Sequence, residues 1–212
     1  MRPSYTAARA LGSGHAASDY DIGLYFKAAL PLETERLLAA AKEIADNSAV
    51  TAVTKIGEWG PWIIGGAWLS VGGQRVDLLY RSADAVSSWN PVGPASSPWT
   101  TNPAIHTASA RRSGWARSHC QPLRDPQDLI NRLKSIALPY PQPLRDALIR
   151  RFQWEILFGI ENAELAAARN EQTHIAGCVY RSLACVAQIV FALNERYLIN
   201  EKGALWKQRG YR

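Results

Sequence analysis

The chain is poor in cysteine, and the few cysteines that it has exclude a disulfide-stapled fold. Only Cys120, Cys178 and Cys185 occur among its 212 residues. Their odd number and their lack of close spacing do not fit a disulfide framework or a cysteine-based zinc site. Cys178 and Cys185 lie in an apolar segment of helical pattern, where they are expected to fill a core. A reduced, cytoplasmic protein is therefore expected.

Long apolar runs are also scarce near the start of the sequence. Residues 1–10 contain no hydrophobic run, so no secretory signal is expected. The most apolar segment, residues 175–193, contains Arg181 and Gln188, and this pattern favours a buried helix of a soluble bundle over a membrane span. We expect no membrane contact.

Charge is modest and is not patterned. Charged residues make up 20% of the chain, and the net charge of +6 suits an anionic partner such as a nucleotide or a nucleic acid. The arginines of residues 87–119 interleave with tryptophans, but this stretch has no periodicity and is typical of an irregular linker. Nucleic-acid binding is not favoured, because the basic residues follow no pattern.

Two aspartates open the most informative stretch of the chain, residues 18–26. In a strand, alternate side chains face the same side, so Asp19 and Asp21 point one way and Tyr20 between them points the other. Two adjacent carboxylates repel each other unless a cation lies between them, and Mg²⁺ prefers such oxygen ligands. The alternative is a solvated strand start that carries two acids.

A third acid lies on a predicted hairpin. Residues 62–71 are apolar and β-prone, Gly72-Gly73 is typical of a tight turn, and residues 74–80 form the return strand. The return strand carries Asp77 among apolar neighbours, where burial of a lone acid is costly. Asp77 is thus either part of a solvated face or a third metal ligand that faces the first two.

Helices follow the strands along the chain. A helix is expected at residues 31–46 and a short strand at residues 49–56. Asp125 followed by proline indicates a helix start, and two long amphipathic helices are expected at residues 143–169 and 174–196. This order predicts an α+β fold, with a sheet domain at residues 1–86, an irregular linker at 87–124 and a helical domain at 125–212.

Several blocks together resemble a known superfamily. The segment from Leu11-Gly12-Ser13-Gly14 to Asp19-Tyr20-Asp21 resembles the active-site strand of the polymerase-β-like nucleotidyltransferases. The blocks at residues 59–69 and 75–80 are similar to those of a bacterial branch of small nucleotidyltransferase-domain proteins with a helical second domain, like the aminoglycoside nucleotidyltransferases. Further blocks at residues 176–181 and 191–202 extend the resemblance over most of the chain outside residues 87–119.

The resemblance implies Mg²⁺-dependent nucleotidyl transfer. The donor would be a nucleoside triphosphate, with ATP as the expected one, and the acceptor would be a hydroxyl of a small molecule or a protein. Asp19 and Asp21 would hold the Mg²⁺ ions that bind the triphosphate. Asp77 would complete one metal site and help to activate the acceptor hydroxyl.

The same resemblance implies contacts outside the three acids. Gly12 and Ser13, with Arg9 before them, would contact the phosphates of the nucleotide. In the helical domain, Arg181 and Lys202 are candidate contacts to phosphate or acceptor, and surface or bundle-capping roles are the alternative.

The chain departs from the family pattern in two places. Only five residues separate Ser13 from Asp19, fewer than the family usually has, and the elements before this loop are shortened. Residues 88–118 do not resemble the family's more regular counterpart. These departures leave a second function open, that of a catalytically impaired or non-catalytic member that serves as a protein-binding partner, for instance as an antitoxin.

Overall fold

The computed structural model describes residues 2–6, 18–49, 51–59, 63–87, 121–198 and 203–207. These residues fall into two compact units. The sheet unit comprises the described residues up to 87 together with residues 121–136. The helical unit comprises the described residues from 137 onward.

The sheet unit is built on five strands: β1 (Arg2–Thr6), β2 (Tyr20–Phe26), β3 (Gly66–Val71), β4 (Gln74–Ser82) and β5 (Gln121–Pro122). They form one mixed sheet in the order β3-β4-β2-β1-β5, in which β2 and β4 are parallel and the other pairs are antiparallel. The predicted hairpin is confirmed. Gly72 and Gly73 join β3 to β4, and both have the positive φ that a tight hairpin turn requires.

One face of the sheet is buried against helix α1 (Thr34–Ile44), which confirms the helix predicted at residues 31–46. Leu37 and Ala41 of α1 pack on apolar side chains that the strands supply at alternate positions: Leu24, Ala67, Leu69, Leu78 and Tyr80, with Ile22 partly buried. Because side chains alternate along a strand, Asp21 and Asp77 belong to the opposite face.

The opposite face is covered where β2 ends. There Tyr25 packs with Ala83, at the start of the short helix α2 (Ala83–Ser87), and with the apolar stripe of α3 (Leu129–Ala137). The Asp125 carboxylate accepts hydrogen bonds from the backbone nitrogens of Leu129 and Ile130, at 3.0 and 2.7 Å, which caps the start of α3. The carboxyl end of β2 is therefore buried, whereas Asp19 and Asp21 at its amino end are only half-buried.

The helical unit is a helical hairpin with a short third helix. Helices α4 (Gln142–Ala168) and α5 (Gln172–Leu193) pack side by side over a core of Leu148, Phe152, Cys185 and Ala192. A second small cluster joins α5 to α6 (Ala204–Lys207) through Phe191, Leu198 and Ala204. The two long helices predicted at residues 143–169 and 174–196 are thus confirmed.

The α+β class is confirmed as a mixed sheet followed by helices. The strand predicted at residues 49–56 is wrong, because residues 51–56 form no strand. This segment is instead tied to β3 at one point. Thr54 donates its backbone N–H to Gly66 O at 3.0 Å, and its Oγ1 accepts the Gly66 N–H at 2.8 Å. The valines and threonines of residues 51–56, which suggested a strand, belong instead to a loop that Thr54 attaches to the sheet.

The helix that follows residue 125 packs with the sheet unit through its apolar stripe. Its residues Leu129, Ile130 and Leu133 contact Tyr25 and Ala83 of the sheet unit. The division between the units therefore falls after residue 136, whereas the sequence indicated a helical domain from residue 125. An amphipathic pattern shows that a helix has an apolar stripe, but it does not show which core covers that stripe.

Candidate functional site

The parallel pairing of β2 and β4 brings two of the predicted carboxylates side by side. Asp21 and Asp77 are Cα partners in this ladder, on strands that lie about 4.8 Å apart. Asp19 is the residue before β2 begins, two positions before Asp21. The hairpin pattern placed Asp77 on the return strand, but only the register of β4 against β2 explains why it faces Asp21.

The carboxyl group of Asp77 is in an unfavourable electrostatic environment. Partial burial raises its pKa, and the negative charge of Asp19 raises it further, while Arg75 opposes both effects. A carboxylate whose pKa is raised by burial and by a second acid is stabilised by any cation that enters the site. Clustered acids of this kind are found at functional sites more often than elsewhere, although structural clusters also occur.

Arg75 is the residue of this site that the sequence pattern did not single out. It lies two residues before Asp77 on β4, and its Nε is 2.7 Å from Oδ1 of Asp19. The sequence could have indicated Arg75, because side chains two residues apart on a strand share a face and Arg75 therefore lies on the face of Asp77. The guanidinium of Arg75 therefore neutralises part of the negative charge of the carboxylates.

The donor set fits a magnesium site in kind, since three carboxylates are the hard oxygen ligands that Mg²⁺ prefers. In the part of the chain that the structure describes, however, no three His, Cys, Asp or Glu side chains are gathered closely enough to hold a metal ion. Asp19 is directed to the guanidinium of Arg75. A metal ion at Asp19 would therefore share this carboxylate with Arg75 or replace Arg75 beside it.

Two tryptophans lie on the same face of the sheet as the carboxylates. Trp68 of β3 is the Cα partner of Asp77, so their side chains share a face. Its side chain is 66% exposed, and it stacks on Trp59 with ring centroids 4.6 Å apart and an interplanar angle of 29°. Across the strands the order is thus Trp68, Asp77 and Asp21.

The structure gives no contact between these carboxylates and the other residues that the family resemblance implied, which either lie outside the described residues or belong to the helical unit. Arg9, Gly12, Ser13 and Lys202 lie outside the described residues. Arg181 belongs to the helical unit, where its Nε donates to Glu155 Oε2 at 2.9 Å and its Nη2 lies 2.5 Å from the same oxygen.

Glu155 is the most deeply buried carboxylate among the described residues, with no solvent exposure. Besides Arg181, it has Arg151 as a neighbour, with Nη2 3.6 Å from Oε1. The thiol of Cys185 lies 3.8 Å from Oε2, and burial, followed by the charge of Glu155, raises the pKa of this thiol to about 12. The thiol therefore stays protonated, and this cluster has the character of a structural ion pair inside a helical hairpin.

By length and composition, one helix in the described part of the chain could cross a membrane: α5, Gln172–Leu193, of which one third of the most apolar window is buried in the structure. A core helix of a helical bundle passes the same test.

Comparison of the sequence with protein families and with curated proteins gave no match at a significant level.

Proposed function

We propose that this protein is a Mg²⁺-dependent nucleotidyltransferase that moves a nucleotide from a triphosphate such as ATP to a hydroxyl acceptor on a small molecule or a protein. The observation that carries the proposal is the parallel register of Asp21 with Asp77, together with Asp19, on the partly open face of the sheet. The finer fold assignment, a nucleotidyltransferase domain followed by a helical domain, is part of the same proposal.

The three carboxylates have separate tasks in this proposal. Asp19 and Asp21 hold Mg²⁺, which supplies charge stabilisation for the phosphates when it is bound. Asp77, on the strand next to Asp21, is the carboxylate beside the acceptor and accepts the hydroxyl proton as a general base. Arg75 holds Asp19 in place before the ion and the nucleotide arrive.

A second function has one observation in its favour. Arg75 already neutralises Asp19 at 2.7 Å, so the acids are partly compensated without any metal ion. A non-catalytic protein that retains this fold and binds a protein partner would keep such an internal ion pair. The two functions differ in whether Mg²⁺-ATP binds at the carboxylates.

Calorimetric titration of Mg²⁺-ATP separates them. The wild type is expected to bind, and the double variant Asp19→Ala/Asp21→Ala is expected to lose at least tenfold in affinity. The control removes two exposed acids from α4, Glu161→Ala/Glu164→Ala, and should bind like the wild type. Absence of binding by the wild type, or equal losses in both double variants, would contradict the enzyme proposal and favour the binding partner.

A further inference from the structure

We propose that the exposed indole of Trp68, supported by Trp59, is the platform on which the base of the nucleotide stacks. This inference rests on the proposed nucleotidyl transfer and adds to it the site of the nucleoside. It concerns residues that are neither metal ligands nor part of the phosphate loop.

The position of Trp68 is the first argument. Trp68 and Asp77 are directly opposite each other on antiparallel strands, which places the two side chains next to each other on one face. Asp21 follows on the next strand. The indole of Trp68 therefore lies one strand spacing from Asp77 and two from Asp21, and a nucleotide whose phosphates lie at Asp19 and Asp21 would extend along this face to reach it.

The support of Trp68 is the second argument. Trp68 presents a large aromatic side chain that is 66% exposed on a strand of the sheet. Trp59 stacks on it at 4.6 Å and leaves most of the side chain open to solvent. A flat, open ring held by a second ring is suited to a flat ligand.

The residue Gly66 makes this arrangement possible. A Cβ at Gly66 would lie 2.7 and 2.8 Å from two ring atoms of Trp59, so the indole of Trp59 lies directly over the glycine. Gly66 and Trp68 are two residues apart on β3 and share a face. Trp59 is thus seated on the sheet beside Trp68 and limits the orientations that Trp68 can adopt.

The chemistry of the pair favours a nucleobase. Every base offers a π-face, and base–aromatic stacking depends little on which base is present. This site would therefore contribute affinity for the nucleoside without strong selection among ATP, GTP, CTP and UTP. We expect removal of the Trp68 ring to weaken nucleoside binding by about tenfold, within the range that such stacking provides.

The experiment uses two probes that separate the nucleoside from the phosphates. Adenosine, in the presence of EDTA, is titrated against the full chain by equilibrium dialysis, and Mg²⁺-tripolyphosphate is titrated calorimetrically. The variants are Trp68→Ala, Trp68→Phe, which keeps an aromatic ring, and Trp154→Ala, a control that removes a half-exposed tryptophan from α4. Circular dichroism confirms that each variant is folded.

We expect Trp68→Ala to bind adenosine about tenfold more weakly, Trp68→Phe to retain most of the affinity, and Trp154→Ala to behave like the wild type. Tripolyphosphate binding should be the same in all four proteins. Failure of the wild type to bind adenosine, or equal losses in the Trp68→Ala and Trp154→Ala variants, would overturn the platform. If adenosine binds through Trp68 but tripolyphosphate does not bind, the platform stands and the transferase proposal fails.

Discussion

Each of the two units holds a group of charged side chains, and the two groups differ in how deeply their carboxylates are buried. In the sheet unit, Asp19, Asp21 and Asp77 share one face, and the arginine identified beside them is Arg75. In the helical unit, one fully buried acid, Glu155, has two arginines as partners. The acids of the sheet unit are half-buried, whereas the acid of the helical unit is fully buried.

The difference separates a candidate site from a structural ion pair. A buried carboxylate is tolerated when cations and hydrogen bonds compensate it, as Arg181 does for Glu155. The carboxylates of the sheet unit are kept close while the pKa of Asp77 is raised, which is unfavourable for the isolated protein. A bound cation would stabilise the ionised form of Asp77, whereas Glu155 is already compensated by arginines inside the helical unit.

The largest expected effect comes from breaking the helical cluster. Arg181→Ala leaves the carboxylate of Glu155 buried, with only Arg151 at 3.6 Å as a charged partner. We expect a loss of about 3 kcal/mol in the free energy of unfolding, since removal of one partner strands a buried charge. Urea unfolding measures this loss, and Arg150→Ala, which removes an exposed arginine from α4, should change the free energy by less than about 0.5 kcal/mol.

A companion variant tests the cause of that loss. Arg181→Ala/Glu155→Leu removes the stranded charge as well and should recover most of the stability, because an apolar residue of similar volume often replaces a buried ion pair without cost. If Arg181→Ala leaves the unfolding free energy unchanged but abolishes Mg²⁺-ATP binding, Arg181 is a nucleotide contact and not a structural residue.

An intermediate effect is expected where the two long helices come closest. Gly159 of α4 has no room for a side chain, because a Cβ there would lie 2.2 Å from Ser182 Oγ, which itself hydrogen-bonds Ile156 O at 3.2 Å. Gly159→Ala should therefore cost about 1 to 2 kcal/mol, as overpacking does. It should also widen the helix spacing that brings Arg181 to Glu155.

The matched control for Gly159→Ala lies on the facing helix. A Cβ at Gly177 of α5 would meet nothing within 4 Å, so Gly177→Ala should stabilise the protein by about 0.5 to 1 kcal/mol through helix propensity. Thermal unfolding compares the two variants. A loss of the same size in both would mean that the close approach at Gly159 is unimportant.

Local sequence patterns predicted the helices and the pairing of β3 with β4 in the hairpin. They did not predict the pairing of β4 with β2. The apolar spacing of residues 143–169 and the Gly72-Gly73 turn were sufficient for the long helix and the hairpin. The register of β2 on β4 joins residues far apart in the chain, and no local signal encodes it. Asp21 was brought beside Asp77 by that register, whereas strand alternation places Arg75, and hairpin pairing places Trp68, on the same face as Asp77.

The same limit explains the errors. The stretch at residues 49–56 has β-propensity, but Thr54 uses its hydrogen bonds to anchor a loop on Gly66. The sequence of α3 does not show which hydrophobic core its apolar face joins. In the structure that face packs on Tyr25 and Ala83 of the sheet unit. Glu155, an acid within an apolar stripe, carried a signal of a buried ion pair that helical spacing alone could have revealed.

The smallest expected effect is the change in stability caused by removing one acid from the sheet unit. Asp77→Asn keeps the shape of the side chain and removes the charge that burial and Asp19 disfavour. Because the pKa of Asp77 is raised in the native state, that state binds the proton more tightly than the unfolded chain does. The wild type therefore loses stability as pH rises from the unfolded-state pKa through the native-state pKa, and the variant lacks this loss.

Above that window we expect Asp77→Asn to raise Tm by about 2 °C while it abolishes nucleotidyl transfer. Scanning calorimetry between pH 3 and pH 8 measures the difference, which should vanish at the acid end, where Asp77 is protonated in both states. Arg75→Gln should have the opposite sign, since it removes the charge that favours ionised Asp77. A lower Tm in Asp77→Asn at neutral pH would show that the ionised carboxylate has stabilising partners, and the sheet cluster would then resemble the ion pair of the helical unit.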